Sequence, residues 1–203
     1  VSTGYSTFKI VNNPQIRILI YSATWQMAVD IHRSIQKNLK ATERIQSIWG
    51  DLTANATEWT QDRTRLAANN KREATITAAG IDNNLVGGHY DLIIFDDPVS
   101  RDNVGTMDQI LKVIIRYKDS LDLLEPHGEL ILMGTRWHDS DLYRWILDPS
   151  NRALENYLVM VKRAFEGNIM TGDDFTPIWP GKYNLKNLRT ILKEEGWAHF
   201  SSQ

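Results

Sequence analysis

Hydrophobic residues gather in short runs that alternate with segments of helical periodicity. Residues 15–22, 91–97 and 129–135 are apolar runs rich in Ile and Leu, bounded by turn-forming residues, which is typical of buried strands. Residues 25–39 and 106–121 instead repeat apolar positions at helical spacing. Strands that alternate with helices predict an α/β fold with a mostly parallel sheet flanked by helices.

Weaker patterns cover most of the remaining chain. They predict a strand over 72–80, a turn over 125–128, a short helix over 139–147, a strand over 157–161 and a helix over Leu185–Glu195 that ends at Gly196. Residues 41–70 are polar and have no clear periodicity, although Trp49 and Trp59 indicate that this segment packs on something.

Composition narrows the class of protein. The chain has 203 residues, a net charge of -2 and no cysteine. Disulfide scaffolds, Cys zinc sites and thiol catalysis are therefore excluded, and the lack of Cys fits a cytosolic protein. A near-neutral charge argues against a strongly basic coat for nucleic acid, though not against a local basic patch. No apolar run approaches the ~20 residues of a membrane span, and no signal peptide is visible.

The ends of the chain suggest a fragment of a longer protein. The sequence after Val1 has the character of the middle of a helix, and the chain stops at Gln203 without a helix cap or breaker.

The stretch DLIIFDDP carries the clearest chemistry. Asp96 and Asp97 follow four apolar residues, at the carboxyl end of a predicted strand, where open α/β sheets bind ligands. Because successive strand residues point to opposite faces, one acid can face Mg²⁺ through its water shell while the other polarises an attacking water. This is the Walker B pattern of ATPases, with Asp where the second acid is more often Glu. The alternative is that Asp-Asp-Pro only caps a strand and starts a turn.

The next predicted strand ends in Gly134, Thr135 and Arg136. A small residue followed by a hydroxyl, beside a Walker B strand, can contact the γ-phosphate or the attacking water. The alternative is a Gly-Thr turn with Arg136 paired to Asp139 or Asp141. The strand over 15–22 also leads into a small polar cluster, YSAT.

A phosphate-binding loop is missing from the sequence. No G-x-x-x-x-G-K-[ST] occurs, so an ATPase with this Walker B would need its phosphate loop before Val1.

Taken together, the order of these motifs resembles the large terminase subunit of tailed bacteriophages, the motor that packages DNA into capsids. Residues 12–24 are similar to the strand after the Walker A helix, 75–104 to the loop and Walker B strand, and 129–143 to the coupling motif. Residues 177–203 are similar to the segment that leads toward the nuclease domain.

The resemblance implies a RecA-like ATPase core of the P-loop NTPase class over 1–148 and a small lid or linker subdomain over 149–203. It implies ATP and Mg²⁺ as ligands, with Asp96 holding the metal through water and Asp97 as the catalytic acid. Gly134 and Thr135 would form the coupling motif. The family's endonuclease would begin beyond Gln203, so no nuclease site is carried over.

Basic residues near the motifs have more than one candidate role. His89 stands where many relatives have a basic residue before Walker B. A His is neutral for part of the time near neutral pH, so it would replace the charge of an Arg only part of the time. The cation that an ATPase needs at the γ-phosphate has three candidates, Arg72, Arg101 and Arg136. Each can equally be an exposed, solvated side chain, and ring motors often take this Arg from the neighbouring subunit.

Partners follow from the resemblance as well. They are double-stranded DNA, the capsid portal protein, the small terminase subunit and further copies in a ring, in the host cell cytoplasm and without a membrane. A basic stretch could contact DNA phosphates, but an ordinary solvated face is the simpler interpretation; its residues are Lys37, Lys40, Arg44, Arg63, Arg65, Lys71 and Arg72.

Two other functions compete with the packaging motor. A helicase also has an acidic Walker B and a Ser-Ala-Thr motif, but in helicases this motif usually follows Walker B, whereas here 22–24 precede it. A non-catalytic assembly module would keep the fold and bind other subunits without hydrolysis. Without a phosphate loop, this chain by itself is expected to be close to inactive.

Overall fold

The computed structural model describes residues 1–41, 43–151, 157–196 and 200. The chain divides into two units, Val1–Gly134 and Thr135–Gln203. The functional division into an ATPase core over 1–148 and a linker over 149–203 stays a prediction.

The first unit contains four α-helices, one short 3₁₀ helix and six strands in the described residues. The helices are α1 Ser2–Asn12, α2 Trp25–Ala41, α3 Glu43–Trp49 and α4 Met107–Leu121. The strands are β1 Ile18–Ser22, β2 Glu58–Trp59, β3 Arg63–Arg65, β4 Ile76–Gly80, β5 Tyr90–Asp96 and β6 Leu124–Met133.

These strands form one sheet in the order β2-β3-β4-β1-β5-β6. β1 pairs in parallel with β4 and β5, and β5 pairs in parallel with β6, whereas β2 and β3 are antiparallel additions. The predicted α/β class with a mostly parallel sheet is therefore confirmed. The carboxyl ends of β4, β1, β5 and β6 lie at one edge, called here the carboxyl edge, and their starts lie at the opposite amino edge.

Helices cover both faces of the sheet because the central strands are apolar on both sides. On one face, Ile20 and Ile94 belong to a buried cluster that also includes Ile10 of α1 and Ile35 of α2. On the other face, Phe95 stacks on Tyr21 with ring centroids 5.1 Å apart and contacts Tyr117 of α4 at 5.9 Å.

β6 departs from its prediction in two ways. Residues 125–128 belong to the strand as an irregularity in its pairing with β5, not to a separate turn. Residues 130–133 are half-buried, whereas β1 is buried throughout. The reason is position: in the described residues β6 is an edge strand, and an edge strand has a neighbour on one side only.

The second unit contains α5 Leu142–Leu147, the antiparallel pair β7 Phe165–Glu166 and β8 Thr176–Pro177, and α6 Leu185–Glu195. Both helices were predicted and both are capped: Asp141 accepts from the Arg144 N–H, and Asn184 accepts from the Asn187 N–H.

The strand prediction for 157–161 is wrong. These residues have no strand pairing, and Leu158 is fully exposed. An apolar run forms a strand only when a neighbouring strand supplies hydrogen-bond partners.

None of the helices in the described part of the chain is long and apolar enough to cross a bilayer.

Candidate functional site

Three strand ends are joined through the backbone of Asp97 at the carboxyl edge. The Asp97 N–H donates to the Met133 carbonyl at the end of β6, at 3.0 Å. The Asp97 carbonyl accepts from the Ala23 N–H, just after β1, at 3.1 Å. The predicted acid pair and the predicted Gly134 therefore lie on neighbouring strand ends, next to the polar cluster that follows β1.

Asp97 adopts a left-handed backbone conformation, with φ at 46°. Only glycine visits this region without cost, and Asp and Asn tolerate it better than most residues. β5 ends at Asp96, so the alternation of strand side chains applies up to Asp96, and the chain turns at Asp97. A strained residue beside a ligand-binding edge is a recurring feature of functional sites.

The Asp96 carboxylate is held by a side chain that sequence reasoning did not identify. Ser2, buried in the first turn of α1, donates its hydroxyl hydrogen to Asp96 Oδ2 and lies 3.5 Å from Met133 Sδ. The amino end of α1 therefore lies at the carboxylate, where the helix dipole favours a negative charge. Within the described residues, Asp96 forms no ion pair with a lysine or arginine.

A second pair of contacts fixes α1 against β6. Tyr5 and Lys9 both donate to the Glu129 carboxylate. Hydrogen bonds from Lys9 and from Tyr5 lower the pKa of Glu129 below its ordinary value. One turn of α1 thus contacts β6, and the turn before it contacts the end of β5.

The residues predicted to form the coupling motif follow β6 directly in the chain. Gly134 is exposed and ends the first unit, and Thr135 and Arg136 begin the second. Arg136 Nη2 lies 3.3 Å from Asp139 Oδ1, so the ion pair expected if Arg136 has only a structural role does form.

The other candidate cations lie in different places. Arg101 is exposed in a short 3₁₀ helix that follows the acid pair by four residues, and its side chain makes no ion pair with the described part of the chain. Arg72 precedes β4 and so lies toward the amino edge, where it donates to the Gly87 carbonyl at 3.2 Å. His89 Nδ1 lies 3.7 Å from Glu125 Oε1, also toward the amino edge.

Much of the basic stretch is paired with acids or with backbone. Arg63 and Arg65 lie 3.2 Å and 3.9 Å from the Glu58 carboxylate. Arg65 also donates to the carbonyls of Arg72 and Glu73, and Lys71 pairs with Asp91 at 3.4 Å. These contacts favour a structural role for this part of the stretch over DNA contact.

The donor set at the carboxyl edge suits Mg²⁺ only together with a nucleotide. In the residues that the structure describes, no three His, Asp or Glu side chains are grouped to hold a metal ion. Mg²⁺ commonly takes one or two protein oxygens and completes its shell with water and substrate phosphates. The Asp96 carboxylate and the Ser2 hydroxyl fit that requirement.

No protein-family model matches the chain, and no curated protein matches it.

Proposed function

We propose that this chain is the ATPase portion of a terminase large subunit, which couples ATP hydrolysis to DNA translocation into a viral capsid. The observation that carries the proposal is the convergence of Asp96, Asp97 and Gly134 on adjacent ends of parallel strands. A passive sheet has no need for two acids at this edge, and ligands of open α/β sheets bind there.

In this proposal each residue has a chemical role in ATP hydrolysis. Bound Mg²⁺ would neutralise charge on the phosphates, and Asp96, oriented by Ser2, would hold it through water. Asp97 would orient the attacking water and accept its proton. Gly134 and Thr135 would lie near the γ-phosphate.

The position of α1 supports a RecA-like arrangement. Its amino end lies at the carboxyl edge beside β5 and β6, so a phosphate loop preceding it would also lie at that edge. A strand leading into such a loop would run parallel to β6. The outer side of β6 has no partner among the described strands and can accept it.

The test is DNA-stimulated ATP hydrolysis by a protein that contains this chain together with its phosphate loop. Asp97→Asn keeps the left-handed backbone accessible and removes the acid, so turnover should fall about 100-fold or more while nucleotide binding persists. Asp102→Asn, at an exposed acid five residues further on, is the matched control. Unchanged turnover in Asp97→Asn would mean that the acid pair is only a turn.

A non-catalytic assembly module is the second candidate. It is favoured by an apolar stripe on the outer face of α4, where Met107, Leu111 and Ile115 recur every four residues and are each about half exposed. Absence of DNA-stimulated ATP turnover in the wild-type protein, together with loss of subunit association in Leu111→Lys, would favour this candidate.

A further inference from the structure

The segment that follows Asp97 is held by the amide side chain of Asn103. Asn103 ends the short 3₁₀ helix Arg101–Asn103, which lies between β5 and α4. Its Nδ2 donates to the Pro98 carbonyl at 2.8 Å, and its Oδ1 accepts from the Ser100 N–H at 2.8 Å. Because one contact needs a donor and the other an acceptor, the amide satisfies both in one orientation only.

Asp97 has a backbone conformation that its local sequence disfavours. Its φ of 46° is left-handed, which costs free energy for a residue that carries a side chain. The next residue is Pro98, and a residue before proline favours an extended conformation. A backbone held in such a conformation persists only where the surrounding structure enforces it.

Contacts on both sides of Asp97 enforce this conformation. On the side of the sheet, its N–H donates to the Met133 carbonyl and its carbonyl accepts from the Ala23 N–H. On the side of the loop, Asn103 fixes the carbonyl of Pro98, which is itself buried. With the backbone fixed on both sides, the direction of the Asp97 Cα–Cβ bond is fixed as well.

The 3₁₀ helix is in turn anchored to α4. Gln109, in the first turn of α4, donates through Nε2 to the Asp102 carbonyl at 3.1 Å and accepts through Oε1 from the Thr106 N–H at 3.0 Å. The next residue, Ile110, is buried in the core. Asn103 is therefore carried by a segment that is attached to a packed helix.

We propose that Asn103 is a positioning residue for ATP hydrolysis, which holds the Asp97 carboxylate where the attacking water binds. This inference rests on the proposed function, in which Asp97 orients that water. Asn103 acts through the backbone of Pro98 and Asp97 and not by touching the nucleotide. Small displacements of a catalytic group are enough to lower a rate strongly.

Amide hydrogen exchange, followed by NMR in the 203-residue chain, tests the support of Asp97 without any activity. Asn103→Ala removes both side-chain contacts, so the N–H groups of Asp97 and Ala23 should exchange about tenfold faster or more, relative to the amides of β1 and β5. Asn69→Ala is the matched control and should leave this ratio unchanged, because Asn69 is a buried amide that holds a loop toward the amino edge. An unchanged ratio in Asn103→Ala would overturn the proposal.

Single-turnover ATP hydrolysis, by a protein that contains this chain with its phosphate loop, tests the chemical role. Asn103→Ala should lower the rate about tenfold or more and leave ATP binding unchanged, whereas Asn69→Ala should change neither. Because Asn103 acts through Asp97, Asn103→Ala should cause no further loss in a protein that already carries Asp97→Asn.

The outcomes separate this inference from the proposed function. Unchanged turnover in Asp97→Asn would overturn both. Lost turnover in Asp97→Asn with full turnover in Asn103→Ala would overturn the positioning role alone. A double variant that shows the product of the two single losses would also overturn it, since Asn103 would then act independently of Asp97.

Discussion

The two edges of the parallel sheet hold their charges in opposite ways. At the amino edge, Arg17 is buried and forms a two-point pair with Asp91, through Nε at 3.0 Å and Nη2 at 2.8 Å. The same guanidinium contacts Glu125 at 2.8 Å, and Lys71 adds a further contact to Asp91. At the carboxyl edge, the Asp96 carboxylate accepts from the Ser2 hydroxyl and has no cation beside it in the described residues.

The difference teaches how to separate structural from functional charges. Burial alone would raise the pKa of Asp91, but hydrogen bonds from Arg17 outweigh it and the pKa lies below its ordinary value. Its negative charge is balanced within the fold by Arg17 and Lys71. In the described residues the Asp96 carboxylate forms no such ion pair, which is compatible with the proposed bound cation.

Removing the central cation of the amino edge should have the largest effect on stability. Arg17→Met takes the shared cation away from the buried Glu73 and the half-buried Asp91 and Glu125, and we expect a loss of about 3 kcal/mol in the free energy of unfolding, measured by urea titration. Arg33→Met is the control, because Arg33 pairs with Asp30 on the surface and should cost less than about 1 kcal/mol. Equal losses of unfolding free energy in the two variants would show that Arg17 stabilises the fold no more than a surface arginine does.

A close backbone approach at the carboxyl edge should give the next largest effect. A Cβ on Gly80 would lie 2.6 Å from the Trp25 backbone nitrogen, so Gly80→Ala should lose about 2 kcal/mol in thermal or urea unfolding. A Cβ on Gly4 in α1 meets nothing within 4 Å, so Gly4→Ala should gain about 0.5 kcal/mol. A stable Gly80→Ala protein would show that the end of β4 can shift.

The pH dependence should separate Asp91 from a buried histidine. His32 of α2 is fully buried; its Nδ1 lies 2.9 Å from the Gln61 carbonyl and its Nε2 lies 2.8 Å from Thr64 Oγ1. A carbonyl can only accept, so Nδ1 carries the hydrogen, and Nε2 of the neutral ring accepts from the Thr64 hydroxyl, which itself accepts from Gln36.

Burial lowers the pKa of His32, so the unfolded chain binds the proton more readily than the folded one. Stability should therefore fall as pH drops below about 6.5, by at most about 1.4 kcal/mol per pH unit. Asp91, with its lowered pKa, should keep its contribution until below about pH 4. Thermal unfolding at a series of pH values should show the first loss in wild type and a smaller one in His32→Gln. If stability fell with pH equally steeply in His32→Gln, a group other than His32 would be responsible for the loss.

The smallest effect on stability is expected from Asp96→Asn. An amide oxygen can still accept from Ser2, so the free energy of unfolding should change by less than about 1 kcal/mol. A loss comparable to that of Arg17→Met would make Asp96 a structural residue like those of the amino edge.

Local patterns predicted most of the elements but not their partners. The runs at β1 and β5 and the helices α2, α4 and α6 match their predicted positions because strand and helix periodicity reflect which side chains are buried. The short strands β2 and β3 were not predicted, since each has only two or three residues and depends on pairing, β3 with β4 and β2 with β3. The strand predicted over 157–161 failed for the converse reason, because it has no partner.

The candidate site was predicted in part. Asp96, Asp97 and Gly134 were identified by their motifs, and their convergence followed from the rule that parallel strands end at one edge. Ser2 was missed because a serine in a first helical turn is ordinary in sequence. Arg17, Asp91 and Glu125 were missed because they are far apart in the chain, and local sequence patterns do not predict contacts between distant residues.

By itself, the sequence determined the α/β class, the main helices and strands, and the acid pair after β5, because each follows from the local spacing of apolar and polar residues. Only the tertiary structure decided the strand order, the partial exposure of β6 at the side of the sheet, the contact of the Ser2 hydroxyl with Asp96 and the charge network around Arg17. These depend on contacts between residues distant in sequence, and such contacts exist only after the chain has buried its core.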